Sequence, residues 1–134
     1  MTFLLSNGLR RTLTIDAVVS AASALLLLFA GDELAQWFAI PEMLLWYAAI
    51  LLVPFAIYVG TLARRETVTR SGMAAVIGMN IAWVVASVWL VMGSSVRPSP
   101  AGYVFIVGQA LAVALLAEFQ YMAVRRAAAR GAPA

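Results

Sequence analysis

Residues 43–92 read MLLWYAAILLVPFAIYVGTLA, then RRETVTR, then SGMAAVIGMNIAWVVASVWLVM. The first and last of these segments carry no charge, and each is long enough to cross a bilayer core of about 30 Å as a helix of roughly 20 residues. The break between them holds Arg64, Arg65 and Arg70 against Glu66 alone. Working outward, a third apolar stretch runs from about Thr12 to Ala30, interrupted only by Asp16. A fourth opens at Ser99-Pro100 and continues to about Val124, interrupted only by Glu118. Leu28-Phe29-Ala30 offers no small-x-small cleavage site, so the first stretch reads as a span rather than a signal peptide.

The chain has 134 residues, 64% of them hydrophobic and 11% charged. Soluble domains average roughly 45–50% apolar and 25% charged, and one this short could not hide so much apolar surface. The fold expected is an all-α membrane protein, a four-transmembrane-helix antiparallel bundle. Its spans fall at about 12–30, 43–63, 71–92 and 100–124, in a single domain over residues 1–126. Residues 127–134 form a mobile tail.

Charge order gives a topology. Arg10, Arg11, Arg64, Arg65, Arg70, Arg125, Arg126 and Arg130 flank one set of span ends, whereas Asp32, Glu33, Glu42 and Arg97 flank the other. Cytoplasmic loops collect Lys and Arg, so both termini are expected in the cytoplasm of a multi-pass inner-membrane protein. Trp37, Trp46, Tyr47, Trp89 and Tyr103 fall near the opposite boundary, where amphipathic rings prefer to sit. The basic face should attract anionic lipid headgroups. Nucleic acid is not an expected partner, because the arginines flank spans instead of lining a helix face.

Local signals place the helix starts. Pro41 and Glu42 suit the N-terminus of the second span. Ser71 reads as the N-cap of the third and Ser99 as that of the fourth. Two flanking segments, Met1–Gly8 and Asp32–Ile40, should lie in the membrane interface.

His, Cys and Lys are absent. That removes disulfides, imidazole and thiolate metal ligands, Schiff-base lysine and the histidine general base. A non-enzymatic protein without metal or cofactor is expected.

Function therefore turns on polar residues inside the spans. At about 1.5 Å rise per residue, Asp16 lies about 7 Å in from Arg11, and Glu118 about 10 Å in from Arg125. Asn80 and Pro54 lie near mid-depth, with Ser20 and Ser23 close to that level. Placing a carboxylate at the centre of a span costs about 2.5–3.5 kcal/mol, so each is a functional candidate. Glu118 should pair with Arg64 or Arg65 from another helix, or handle a proton or cation. Asn80, Trp83 and Ser87 share a face and either hydrogen-bond between helices or line a ligand cavity with Ser20 or Ser23. Ala74, Gly78, Ala82 and Ala86 form an i+4 row of small residues, with a shorter row at Gly108 and Ala112. Such rows let helices approach closely, inside one bundle or in a homo-oligomer.

The runs LSNGLRR (5–11), IDAVVS (15–20), NIAWVVAS (80–87) and GYVFIVGQALAVALLAEFQY (102–121) resemble small four-span bacterial membrane proteins of unassigned function. The resemblance implies a bacterial inner-membrane location and brings no catalytic or binding motif. Asp16 invites comparison with small multidrug exporters, whose surrounding motifs are absent here, as are the asparagine and phenylalanine signatures of fluoride channels. Two functions are expected to compete. One is an accessory, assembly or regulatory membrane component with a homo-oligomeric or membrane-protein partner. The other is a small oligomeric proton- or cation-linked transporter or channel using Glu118, Asp16 and Asn80.

Overall fold

The computed structural model describes residues 1–130. Four helices dominate it: α1 (Asn7–Phe38), α2 (Glu42–Ala63), α3 (Arg70–Met92) and α4 (Pro100–Ala129). All four are long and apolar enough to cross a membrane. Two three-residue strands, β1 (Thr2–Leu4) and β2 (Thr67–Thr69), complete the architecture. Packing is closest between α1 and α2, between α3 and α4, and between α1 and α4. The helices thus follow one another in the order α2, α1, α4, α3.

The arginine-rich end is closed by the small sheet. β1 and β2 pair antiparallel, with Phe3 opposite Val68, and both of these side chains point into the bundle. Leu5 N–H donates to the Glu66 carbonyl at 2.9 Å and Arg70 N–H to that of Met1 at 3.1 Å, extending the pairing at both ends. The segment Met1–Gly8 is therefore a paired strand followed by the first turn of a helix, not an interfacial helix. Beneath the sheet lies an apolar cluster of Phe3, Leu5, Leu9, Leu13, Val59, Leu62, Val68, Met73 and Val76. A second cluster of Leu27, Ile40, Leu45, Ala49 and Ile106 fills the acidic end.

Each helix end has an identifiable cause. Ser6 caps α1 by accepting from Leu9 N–H at 3.2 Å. α1 continues beyond the expected boundary at Ala30, where the backbone departs from helical geometry (φ −124°, ψ 19°) and then resumes. Asp32–Phe38 is the kinked continuation of the span rather than a separate interfacial segment. The helix stops at Ala39 in the left-handed region (φ 51°, ψ 45°), whose N–H donates to Ala35 O. Arg10 donates through its guanidinium to the carbonyls of Ala63 and Arg65, satisfying the C-terminal end of α2. Thr69, not Ser71, caps α3 by accepting from Gly72 N–H at 2.9 Å. β2 leaves Thr69 extended, in the geometry an N-cap needs, and Ser71 already lies inside the helix. Ser99 caps α4 as expected, with Pro100 at the first helical position. Ser99 also donates its hydroxyl to Trp37 O at 2.6 Å and its N–H to Phe38 O at 2.9 Å, joining the end of α1 to the start of α4. Phe38 and Phe105 stack across that joint with centroids 4.6 Å apart.

The small-residue rows fall elsewhere than expected for packing within the bundle. Ala74, Gly78, Ala82 and Ala86 are exposed on α3, and Gly108 and Ala112 on α4. A Cβ added at Gly78 or Gly108 would meet nothing within 4 Å. The inward face of α3 carries Met73, Val76, Asn80 and Ser87, so the polar side chains take the interior and the small row turns outward. Pro54 is likewise exposed, on the outer face of α2. Within the bundle the close approach is between Gly60 and Ala17, on α2 and α1. α4 remains helical through Ala129, which replaces the expected tail at 127–129; residues 131–134 lie outside the described residues.

Candidate functional site: a buried polar layer

Between the two apolar clusters lies a polar layer built by three helices. Asp16 on α1 follows Leu9 and Leu13 along one buried stripe at i, i+4 and i+7, which aims its carboxylate inward. Asn80 comes from the buried face of α3 and Gln120 from that of α4. The three are 2%, 3% and 0% exposed.

Their hydrogen bonds close a ring. Asn80 Nδ2 donates to Asp16 Oδ2 at 2.8 Å and to Gln120 Oε1 at 3.2 Å. Gln120 Nε2 donates to the same Asp16 oxygen at 2.8 Å. Each residue is thereby bonded to the other two, and Ser20 is buried one turn beyond Asp16 on α1. A carboxylate accepts and an amide both donates and accepts, so two amides facing one carboxylate can satisfy one another without a cation.

A second network lies nearer the acidic end, between α3 and α4. Trp83 Nε1 donates to Gln109 Oε1 at 2.7 Å, and Gln109 Nε2 donates to Ser87 Oγ and to Ile106 O, both at 3.0 Å. Ser87 Oγ returns to Trp83 O at 2.8 Å. Among the described residues no buried side-chain nitrogen or oxygen lacks a hydrogen-bond partner.

The structure brings some of the sequence candidates together and separates others. Asp16, Ser20 and Asn80 meet. Trp83 belongs to the second network, and Ser23, half-buried, joins neither. Glu118 is exposed, on the far side of α4 from Gln120, in an apolar groove formed with Ile77, Ile81, Val84, Val85 and Tyr121. No arginine lines that groove, so the expected pairing with Arg64 or Arg65 does not occur there. The reason is helical phase: residues two apart lie about 200° apart around a helix, so Glu118 and Gln120 cannot both face inward. Gln120 was the member missed in the sequence. Its signal was its place after Ile106, Ala110 and Ala117 on the buried stripe.

Among the described residues no group of three His, Cys, Asp or Glu side chains could hold a metal ion. What the arrangement does chemically is bond α1, α3 and α4 at one level and fix their rotation. Interhelical hydrogen bonds in membranes average about 0.6 kcal/mol, so the ring contributes modestly to stability and strongly to register. Comparison with known protein families, curated proteins and solved structures gives no match for this chain.

Proposed function

We propose that this chain is a non-enzymatic integral membrane protein, with its arginine-rich end in the cytoplasm, acting as an accessory, assembly or regulatory component. The observation that carries this reading is the closed Asp16–Asn80–Gln120 ring. Asn80 spends both amide hydrogens on Asp16 and Gln120, and Gln120 donates to the same carboxylate oxygen, which suits a structural anchor better than a group that must exchange an ion. The membrane location rests on four helices of spanning length and hydropathy, and the orientation on the side that collects arginine. Anionic headgroups are then the first partners of that rim.

The second reading, a proton- or cation-linked transporter, is favoured by one observation: Asp16 is a buried carboxylate bonded to amides and to no arginine. One experiment separates the two. In proteoliposomes the anchor reading expects no proton or sodium flux from the wild-type chain. It also expects Asn80→Ala to lower the melting temperature in detergent, while Glu118→Gln leaves it near wild type. A wild-type flux that disappears in folded Asp16→Asn would establish transport instead.

A further inference from the structure

A cavity of about 930 Å³ opens at the arginine-rich end, between β1, the first turn of α1 and the last turns of α4. Volumes of about 300–1,000 Å³ are typical of small-ligand sites. Arg126, in the last turn of α4, and Arg130, the residue that ends it, line one wall. Among the described residues, none that lines the cavity carries a carboxylate. Arg125, which immediately precedes Arg126 in sequence, is placed differently, with its guanidinium 5.9 Å from the Tyr121 ring centroid.

The opposite wall adds donors. Ser6 accepts from Leu9 N–H through its side-chain oxygen, which leaves its hydroxyl proton free to be given. Thr67 contributes a second hydroxyl. The first turn of α1 borders the same space through Gly8 and Leu9. Gly8 also faces it, and a Cβ there would meet nothing within 4 Å. The remaining lining is largely apolar, with Phe3 and Leu5 from the strand segment and Ala123 and Ala127 from α4. Two arginines and two hydroxyl-bearing residues around one space, with no carboxylate among the described lining residues, match a phosphate group. Apolar walls beside them match the hydrocarbon attached to it.

We infer that this cavity is a binding site for a phosphate ester, with an anionic phospholipid headgroup as its source. This goes beyond the general attraction of a basic rim for acidic lipid, because it assigns the binding to two arginines of the eight on that side.

Thermal melting of the full-length chain in a neutral detergent tests it, with dihexanoyl phosphatidic acid, dihexanoyl phosphatidylcholine and inorganic phosphate as probes. A saturable rise in melting temperature is expected with phosphatidic acid, at concentrations at least tenfold below those needed for phosphate, and none with phosphatidylcholine. Equal potency of phosphate would keep the site and assign it to soluble phosphate esters. The double change Arg126→Gln/Arg130→Gln should weaken binding by about thirtyfold. Arg64→Gln/Arg65→Gln, which removes the same charge elsewhere on the rim, should weaken it less than threefold. Gly8→Leu projects a side chain into the cavity with every charge retained and favours the helix, so it should weaken binding in a protein that melts normally. Equal losses in the two arginine pairs, unaltered binding in Gly8→Leu, or no saturable shift with phosphatidic acid or phosphate would overturn the assignment.

Discussion

Gln120 shows how much depends on single side chains in this molecule. It supplies one of two donors to Asp16 Oδ2 and the acceptor for one Asn80 bond. Gln120→Leu keeps volume but leaves a buried carboxylate under-bonded, and removing one partner from a buried polar pair costs about 1–3 kcal/mol. A lower melting temperature in detergent is expected for Gln120→Leu, with partial recovery in the triple change Asp16→Leu/Asn80→Leu/Gln120→Leu, since no polar member of the ring is then left unpaired inside. Gly102 is a second sensitive point. A Cβ there would run into the carbonyl of Phe38, which the start of α4 approaches to make its joint with α1. Gly102→Ala should therefore destabilise the fold even though alanine favours helix, and calorimetry would register the loss. Asp16 and Asn80 were legible in the sequence because polar atoms inside an apolar run are conspicuous. The role of Gln120 was not, and Glu118 drew attention on the same helix. In lipid both faces of a helix are apolar, so hydrophobic periodicity gives little sign of which polar residue turns inward.

At the scale of elements, the four long helices were readable from length and charge, while the strands were not. Three residues are too few to show alternation, and β1 finds its partner more than sixty positions away. The cap of α3 was misplaced for the same reason, since β2 holds Thr69 extended. The sheet depends on Phe3, which is buried against the apolar cluster below it. Truncating a buried phenylalanine costs about 3–5 kcal/mol, so Phe3→Ala should unfold the arginine-rich end first. Hydrogen exchange should then show Val68 and Leu5 amides losing protection before those of the acidic end. Ala39 sets the other boundary. Left-handed backbone costs a non-glycine residue about 1–2 kcal/mol, and β-branching adds to that cost. Ala39→Val should lower the melting temperature and Ala39→Gly should hold or raise it.

For the whole molecule, the order α2, α1, α4, α3 places α1 and α4 centrally and leaves α3 with a broad outward face. That face carries the small residues Ala74, Gly78, Ala82 and Ala86, which the sequence alone could not assign to the inside or the outside of the bundle. The distribution of arginine did carry the plan of the molecule. The residues that flank the spans on one side in the sequence gather at one end of the bundle in the structure. Because the chain has no cysteine, single-cysteine variants report sidedness directly. With a membrane-impermeant maleimide, Ser94→Cys should label in intact cells, and Thr67→Cys and Arg130→Cys only after permeabilisation. Labelling of Thr67→Cys from outside would reverse the proposed orientation.

The pairing of β1 with β2 also imposes an order on biosynthesis. The first strand leaves the ribosome with nothing to bond to, and it stays so until Thr67–Thr69 has been made. By then the two helices between the strands are complete, so the amino-terminal half can be latched shut before the carboxy-terminal half has emerged. Asp16 is already part of that half, and the two amides that bond to it, Asn80 and Gln120, follow later. A nascent chain of which residue 75 has cleared the ribosome would thus hold a closed helical hairpin with an unmet carboxyl group on its flank, the feature by which the later pair of helices can be drawn into register.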